Sequence, residues 1–256
     1  MIVRLDKFLA DAGIGTRSEV KKYIKAKQVT VNKEPAKGPE QKICPENDCI
    51  CCGGKEIRNI SFFYYMFHKP AGYVTARHDE VEQTVMDFFP DFVKKKGTLV
   101  GRLDKDTEGL LLVTNDGELN HRLTSPAYHL EKTYYARLNA PVSPDAVEQF
   151  ANGIDIGDDK PTLPANLTIF PVEETQTESI YSAKLTICEG RFHQVKRMFH
   201  AIGSEVIYLK RVSMGGVTLG NLPRGEYREL TEKEVMELKQ AVSCKREKKE
   251  VKKYEI

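Results

Sequence analysis

Residues 101–117 read GRLDKDTEGLLLVTNDG and place Asp104 in a turn that is rich in glycine and charge. Apolar runs with the composition of β-strands lie on both sides of this turn, at 98–100 and 110–113. The sequence Asn-Asp-Gly at 115–117 ends the second run. Because turns held between rigid strands often carry catalytic groups, the stretch predicts a strand–turn–strand unit with Asp104 as the candidate functional residue.

Two other interpretations of the same stretch compete with this one. Residues 104–109 carry acids at the first, third and fifth positions and Gly at the sixth, as an EF-hand calcium loop does. The twelfth position is Asn115 instead of a bidentate Glu, and an apolar run replaces the flanking helix, so calcium binding is disfavoured. The simpler interpretation is a hairpin with a charged, solvated turn, which composition alone favours.

The whole run closely resembles Gly-Arg-Leu-Asp-x-x-Thr-x-Gly-Leu-Leu-Leu, the signature of the RNA pseudouridine synthases. The length of this match favours a functional turn over a simple hairpin, and the resemblance implies that Asp104 is the catalytic aspartate. It also implies an α+β fold class, with a mixed, mostly antiparallel sheet and a central RNA-binding cleft. The resemblance covers the chain up to about residue 242.

Length and charge distribution direct attention to the N-terminus. The chain has 256 residues, enough for two domains, and its net charge of +2 and charged content of 30% are ordinary for a soluble protein. Residues 1–33 nevertheless carry eight basic residues against three acids. This local excess suits a polyanion partner, although charge alone fits a solvated surface equally well.

The first sixty residues have the pattern of a small module with two short helices. The first helix is indicated by apolar residues on one helical face, Leu5, Phe8, Leu9 and Ala12. Gly13 is a plausible stop for it. Thr16 and Glu19 form a capping-box pattern for the second helix. Residues 29–32 predict a short strand, so the module has too small a core to do much alone.

This module resembles the S4 RNA-binding domain (αL-type). The matching residues are Arg4-Leu5-Asp6-Lys7, Leu9, Ala12-Gly13, Arg17, Ile24 and Val29-Thr30-Val31-Asn32. Lys33 stands where the domain commonly has Gly, which removes the Asn-Gly turn signal. In such domains the two helices present basic side chains to RNA, and the resemblance assigns that role to Arg4, Lys7, Arg17, Lys21, Lys22 and Lys25.

The second domain is expected to begin near Ser61 and to consist mainly of strands. Residues 62–67 are rich in strand formers, and His68-Lys69-Pro70-Ala71-Gly72 is expected to be a loop that resembles the family's Lys-Pro-x-Gly turn. Further strands are predicted at 132–138, 166–170 and 182–187. The irregular mixture of strands and helices favours α+β over a regular βαβ series.

Two helices are predicted near the end of this domain. Residues 195–201 form the first, with Phe192, Val195, Phe199 and Ile202 as its expected apolar set. The second follows a capping box of Thr231 and Glu234. We therefore expect an S4 domain with its linker at 1–59, a catalytic domain at 60–242, and a charged tail at 243–256.

The reaction implied by the resemblance converts uridine to pseudouridine. The N1–C1′ bond breaks, the base turns, and C5 bonds to C1′, with no redox step and no required cofactor. The residues must supply an ionised carboxylate as nucleophile or base, a group that moves the C5 proton, and a pocket that holds the detached base. Since an isolated buried carboxylate tends to protonate, a neighbouring cation is also needed.

The resemblance assigns the remaining site residues. The segment His193-Gln194-Val195-Lys196-Arg197-Met198 looks like the family's His-Gln-Val-Lys-Arg-Met and implies that Lys196 pairs with Asp104, with Arg197 as the alternative. Tyr134 matches the Tyr of the Lys-x-Tyr motif, which stacks on the target base. Arg102 is expected to share a side with Asp104 and to fill the space left by the extruded base or to bind phosphate. His193 and His200 have no companion cluster and are expected to be structural.

Composition suggests a cytoplasmic protein. The N-terminus lacks a signal-peptide apolar region and no apolar run approaches the length of a membrane span, so we expect reduced cysteines and no membrane partner. The cluster Cys44, Cys49, Cys51 and Cys52 lacks paired Cys-x2-Cys spacing, which favours ordinary buried or edge-strand thiols over a metal site. We expect no metal and a monomer.

The expected partner is ribosomal RNA, and three functions stay open. The segment around Lys196 looks more like the small-subunit (RsuA-type) enzymes, which favours 16S rRNA. The alternatives are a large-subunit rRNA pseudouridine synthase and a non-catalytic S4-containing RNA-binding or ribosome assembly factor. The presence of Asp104 favours an enzyme.

Overall fold

The computed structural model describes residues 2–12, 14–45, 47–57, 62–174 and 179–243. The chain divides into two compact units, Met1–Phe62 and Phe63–Ile256. Three expected features, the stop at Gly13, the end of the linker at 58–59 and the tail from 244 onward, lie outside the described residues. Within the described part of the chain no helix is both long and apolar enough to cross a membrane.

The first unit combines two helices with short strands. Its elements are β1 (Val3–Arg4), α1 (Leu5–Asp11), α2 (Arg17–Lys25), β2 (Val29–Val31), β3 (Glu34–Pro35), β4 (Lys42–Ile43), β5 (Ile50–Cys52) and β6 (Lys55–Glu56). β1 pairs with β4, and a second sheet has the order β3-β2-β5-β6. Leu5, Phe8 and Leu9 of α1 pack with Val20 and Ile24 of α2, as the helical pattern predicted.

The α2 capping box forms as the sequence predicts, and the β2–β3 turn forms even without the usual glycine. The capping box of α2 is complete, because the Thr16 hydroxyl accepts from Glu19 N and the Glu19 carboxylate accepts from Thr16 N. The β2–β3 hairpin turns at Asn32 and Lys33 with φ of 55° and 70°. Both residues therefore lie in the left-handed region typical of a type I′ turn, even though Lys33 replaces the expected Gly.

The second unit is built on one large sheet. Its elements are β7 (Tyr64–Lys69), α3 (Asp91–Lys96), β8 (Thr98–Val100), β9 (Glu108–Thr114), α4 (Gly117–Thr124), β10 (Lys132–Leu138), α5 (Ala146–Asn152), β11 (Asn166–Ile169), β12 (Glu173–Glu174), β13 (Ser179–Ile187), α6 (Gln194–Ala201), β14 (Val206–Met214), β15 (Val217–Thr218), β16 (Tyr227–Glu229) and α7 (Glu232–Ala241), with 3-10 helices at Val85–Phe88 and Pro126–Tyr128.

The ten-stranded sheet is mixed but mostly antiparallel, as expected. Its main path runs β11-β13-β10-β14-β9-β7-β16, with β8, β12 and β15 attached at the side. β14 and β9 pair in parallel, and only at Lys210 with Glu108 and Arg211 with Gly109 in the described ladder. The α+β class is therefore confirmed, and the parallel joint lies at the centre of the sheet.

Both faces of the sheet are covered near β9. Leu111 and Val113 point into a core that includes residues of α3, α5 and α6. Leu110 and Leu112 point to the opposite face, into a core with residues of α4 and α7. All seven residues of β9 are buried, which explains why this strand reads as an unbroken apolar run instead of an alternating one.

Helices α3, α4 and α5 were not predicted, and three further differences bear on the site. Strand β7 continues through His68 and Lys69, which the sequence assigned to a loop. Phe192 is 75% exposed and does not belong to the apolar set of α6, whose buried face instead includes Met198. Strand β14 was not identified, because its residues alternate with no single apolar face.

Candidate active site

A pocket in the second unit opens above the central strands. It has a volume of about 650 Å³ and is lined by residues of the β8–β9 turn, β10, β14, and the segment that leads into α6. All four residues expected to be catalytic contribute to its wall: Asp104, Tyr134, Lys196 and Arg102. The structure therefore brings together side chains that lie up to 94 residues apart in sequence, as the positions of Arg102 and Lys196 show.

Asp104 lies in the turn between β8 and β9, as predicted. The two strands form an antiparallel pair in which Thr98 faces Thr114 and Val100 faces Leu112, so the turn that follows Val100 is held at both ends. The Asp104 carbonyl accepts from Thr107 N at 3.1 Å within the turn. About a third of the Asp104 side chain is exposed to the pocket, which leaves the carboxylate accessible to a ligand.

Lys69 holds the backbone of this turn from its buried side. Its side chain is fully buried, and its ammonium donates to four backbone carbonyls, those of Pro70, Asp104, Lys105 and Thr107, at 2.8–3.1 Å. Burial lowers the pKa of Lys69 to about 8, against the opposing charges of Asp106, Asp104 and Glu108. The lysine expected in a loop is thus the last residue of β7, and it fixes the backbone that carries Asp104.

Lys196 is the lysine whose ammonium reaches the carboxylates of the turn. Its ammonium lies 3.9 Å from Asp104 Oδ2, within ion-pair range. It lies closer to Asp106, at 2.6 Å from both carboxylate oxygens. Partial desolvation would raise the pKa of Asp106, but the hydrogen bonds and charge of Lys196 outweigh it and hold the pKa below its ordinary value. Lys196 therefore serves two carboxylates, of which the sequence identified one.

Arg197, the alternative partner of Asp104, points elsewhere. Its guanidinium donates to the carboxylate of Asp158 and the carbonyl of Ile156, both at 2.5 Å. Adjacent residues on a helix diverge by about 100°, so one of the two basic residues was expected to face the site. The geometry places Lys196 there, and the assignment of its role stays a prediction.

His193 was expected to be structural, and the structure places it beside Asp104. Its Nε2 lies 3.6 Å from Asp104 Oδ1, on the opposite oxygen from Lys196. His193 has φ of 48° and ψ of 30°, a left-handed conformation that is uncommon for residues other than Gly, although His is among the types enriched in it. This conformation, which the sequence does not reveal, turns the imidazole toward the turn of Asp104. His200 instead pairs with Glu205 at the protein surface.

Phe192 stacks on His193, with ring centroids 3.8 Å apart and an interplanar angle of 19°. The segment that presents this pair is well anchored: Arg191 donates to the carbonyls of Lys160 and Pro161 and to Glu189. An exposed aromatic ring on a fixed segment at the pocket wall offers a surface on which a nucleobase can stack.

Tyr134 and Arg102 occupy different depths of the pocket. Tyr134 lies on β10 and is 8% exposed, with its ring in the wall of the core. Arg102 is exposed, and its guanidinium has no hydrogen bond or ion pair to any described residue. A free, exposed cation beside the pocket suits the phosphate-binding or space-filling role that the resemblance implied.

The basic residues of the first unit lie at its surface. Lys7, Arg17, Lys21, Lys22 and Lys25 are exposed. Arg4 is held by two hydrogen bonds to Asp6, at 2.9 and 3.0 Å, and the hydrogen bonds from Arg4 lower the pKa of that carboxyl despite its burial. Five of the six expected RNA-binding side chains are therefore open to a partner, and Arg4 is tied to its neighbour.

The cysteine cluster shows no metal geometry. Among the described residues no group of three or more His, Cys, Asp or Glu side chains is placed to hold a metal ion. Cys51 and Cys52 lie on β5, which has neighbours on both sides in its sheet instead of the edge position that the sequence allowed. Cys49 is exposed, Cys44, Cys51 and Cys52 are half-buried, and none of these four cysteines forms a disulfide.

Comparison with known proteins identifies the family and the fold. Residues 63–201 match the RNA pseudouridylate synthase family, and residues 3–49 match the S4 domain. The chain belongs to the RNA pseudouridylate synthase family. It is thus a synthase with an N-terminal S4 domain, as the sequence indicated.

Full-length relatives of this synthase are known. The chain is 43% identical to the uncharacterized RNA pseudouridine synthase YtzG of Bacillus subtilis, over 91% of this chain and 97% of the relative. It is 42% identical to ribosomal small subunit pseudouridine synthase A of Escherichia coli, over 91% and 98% of the two chains. A crystal structure of a pseudouridylate synthase matches with a TM-score of 0.65 and 40% identity, covering 92% of this chain and 99% of the other.

Sequence reasoning assigned no role in the site to four residues: Lys69, Asp106, His193 and Arg211. Lys69 and His193 contact the Asp104 turn, and Asp106 is part of it. Arg211 is 2% exposed and lies in the pocket wall on β14. Asp106 could have been found, because it lies two residues from Asp104 in an exposed turn. The others depend on tertiary contacts that no local pattern encodes.

Proposed function

We propose that this synthase isomerises a specific uridine of ribosomal RNA to pseudouridine, and that its substrate is the 16S rRNA of the small subunit. The observation that carries the proposal is the convergence of Asp104, Lys196 and Tyr134 on one pocket of a family member. The small-subunit assignment is supported by 42% identity to a ribosomal small subunit synthase over nearly the whole length of both chains.

Asp104 acts as the carboxylate that attacks or deprotonates the ribose. Lys196 keeps the turn charged and correctly placed, because it bridges Asp104 and Asp106. Tyr134 lies beneath the target base and stacks on it. Arg102, exposed and unpaired among the described residues, contacts phosphate or occupies the space that the extruded base leaves.

The S4 domain supplies affinity. Lys7, Arg17, Lys21, Lys22 and Lys25 are exposed on one small unit, and basic side chains in such numbers neutralise phosphates and release counterions. The residue-level boundaries, 1–59 for the S4 domain with its linker and 60–242 for the catalytic domain, are part of the proposal. The enzyme acts as a monomer in the cytoplasm, where its substrate is made, and uses no cofactor.

Mapping pseudouridines in ribosomal RNA tests the proposal. RNA is compared from cells with the gene, without it, and with the deletion complemented by the wild-type gene or by Asp104→Asn. We expect one 16S pseudouridine to vanish on deletion and to return with the wild-type gene alone. Loss of a 23S site instead would show a large-subunit enzyme. Complementation of a growth or assembly defect by Asp104→Asn, with no pseudouridine lost, would show a non-catalytic assembly factor.

A further inference from the structure

Arg211 is a buried cation beneath the pocket without a matching carboxylate. Its Nε donates to the Leu110 carbonyl at 2.7 Å, which joins β14 to β9. Its Nη2 is buried and has no hydrogen-bond partner in the described part of the molecule. No carboxylate of the described residues lies within ion-pair distance of the guanidinium. A buried donor left unpaired is costly, so the site is arranged for a partner that arrives from the pocket.

A second, half-buried cation lies near the first. Lys132 lines the same pocket, and its ammonium donates to the Leu130 carbonyl at 2.9 Å. Burial and the neighbouring charge of Arg211 lower the pKa of Lys132 to about 8, against opposing contributions from Cys188 and Glu189. Glu189 does not neutralise either cation directly, since its two oxygens accept from Leu163, Gln194 and Arg191.

Strand register places these cations around Tyr134. Tyr134 on β10 and Arg211 on β14 are direct cross-strand partners. Lys132 lies two residues before Tyr134, and Leu209 two residues before Arg211, so each pair shares a face of its strand. We call these four residues, Lys132, Tyr134, Leu209 and Arg211, the pocket floor; all four line the cavity that Asp104 borders. A base that stacks on Tyr134 therefore lies within the field of both cations.

We propose that Arg211, assisted by Lys132, stabilises the negative charge on the detached uracil. This inference rests on the proposed isomerisation. When the N1–C1′ bond breaks, its electron pair goes to the uracil ring, where the charge spreads over N1 and the two carbonyl oxygens. The carboxylate of Asp104 bonds to C1′. C5 then attacks C1′ and displaces the carboxylate, C5 loses its proton, and N1 gains one, so the product is an isomer of the substrate.

The chemistry of the floor suits the anion better than neutral uridine. A planar guanidinium presents donors that match two adjacent acceptors, as in the N1–C2–O2 edge of the uracil anion. Hydrogen bonds from a charged donor to an anion are about twice as strong as neutral ones. Because the interaction strengthens as charge develops, it lowers the barrier to bond cleavage more than it tightens substrate binding.

The test separates chemistry from binding and from folding. Arg211→Ala and Lys132→Met are compared with Lys210→Met, a matched control that removes the next cation of β14, which faces the opposite side of the strand. Single-turnover rate constants at saturating rRNA, RNA dissociation constants and melting temperatures are measured for each. We expect Arg211→Ala to slow the single turnover by about 100-fold or more, as loss of one oxyanion donor does. RNA affinity should change by less than about threefold.

Chemical rescue distinguishes catalysis from support of the sheet. Millimolar guanidinium ion should restore part of the activity of Arg211→Ala and leave Lys210→Met unchanged. If Arg211→Ala does not fold, the inference is tested with Arg211→Lys and Lys132→Met. Each is expected to lose about tenfold in single-turnover rate at unchanged RNA affinity.

The outcomes also separate this inference from the function on which it rests. Variants of Arg211 and Lys132 that fold and react at the wild-type rate would overturn the inference alone, as would losses confined to affinity or absence of rescue in a folded Arg211→Ala. A wild-type enzyme that forms no pseudouridine in any ribosomal RNA would overturn both.

Discussion

Asp104 lies near two side chains from one short segment, with the Lys196 ammonium nearest one carboxylate oxygen and the His193 imidazole nearest the other. The carboxylate at the centre of this group could be predicted from sequence, because the signature around it is long and local. The preference for Lys196 over Arg197 came from the family resemblance, since helix geometry indicated only that one of the two faces the site. The contact from His193 could not be predicted, since it depends on a left-handed backbone that no local sequence pattern at this position indicates.

Lys196→Met should reduce turnover severely, by about 100-fold at saturating RNA, because it leaves Asp104 and Asp106 facing each other without their shared cation. Arg197→Met is the matched control, since it removes the adjacent charge, which binds Asp158. Single-turnover assays with both variants make the comparison. A severe loss in Arg197→Met with a mild one in Lys196→Met would reverse the assignment.

At the scale of the element, the parallel joint between β9 and β14 explains one glycine of the signature. A Cβ at Gly109 would lie 2.2 Å from the Arg211 carbonyl oxygen and 2.6 Å from its nitrogen, and Gly109 has φ of +109°. The two backbones therefore approach as closely as they do only because this position has no side chain. The resemblance predicted Gly109 as part of a motif, whereas its physical reason required the partner strand.

Gly109→Ala should destabilise the second unit by at least about 3 kcal/mol, through backbone clash and the strained φ together. Gly117→Ala is the control: no atom lies within 4 Å of the added methyl group, and the residue begins α4, so its stability should hold or rise. Denaturant unfolding of both variants checks this. Equal stability of the two variants would contradict the close approach of the strands.

Helix α7 offers a test by pH. Glu234 completes the capping box of Thr231 and pairs with Arg228 at 2.6 Å. The hydrogen bonds from Arg228 lower the pKa of Glu234 to about 2, against the opposing effect of burial. Because the folded pKa lies below the unfolded value, the pair contributes stability that is fully present above about pH 4.5 and is lost as the pH falls toward 2.

Glu234→Gln keeps a capping acceptor but removes the charge. It should cost about 1 kcal/mol at pH 7, since the Arg228 side chain is partly exposed, and much less near pH 2.5. Glu237→Gln on the same helix, which loses only a 3.9 Å surface pair, is the control and should show little effect at either pH. Thermal unfolding at the two pH values measures the difference. A pH-independent cost for Glu234→Gln would argue against the pair.

At the scale of the molecule, sequence predicted the two-part organisation better than the details of the sheet. The S4 resemblance and the synthase signature are local and were both confirmed by the family matches. Strand β14 was missed because its residues alternate with no single apolar face. The end of β7 was missed because, in sequence, a buried lysine looks the same as a solvated one. Lys69 is stabilised by four carbonyls that only the assembled fold provides.

Salt dependence tests the role of the S4 domain. Replacing Lys21, Lys22 and Lys25 of α2 with Gln should weaken binding to 16S rRNA and reduce the slope of log affinity against log salt by about 2, because fewer counterions are released. The turnover at saturating RNA should change much less. The matched control replaces the consecutive Lys94, Lys95 and Lys96 of α3. Equal salt slopes for the wild type and the α2 triple variant would show that these lysines are only solvated.

The central claim is that Asp104 performs the chemistry, and one measurement tests it most directly. Purified wild type, Asp104→Asn and Asp106→Asn are each incubated in excess with a 16S rRNA transcript, and pseudouridine is quantified over time alongside RNA affinity. The side-chain amide of Asp104→Asn has nearly the shape of the Asp104 carboxylate but cannot act as nucleophile or base. We expect no product from Asp104→Asn at near wild-type affinity, and a slower but measurable reaction for Asp106→Asn. Substantial product from Asp104→Asn would contradict the claim.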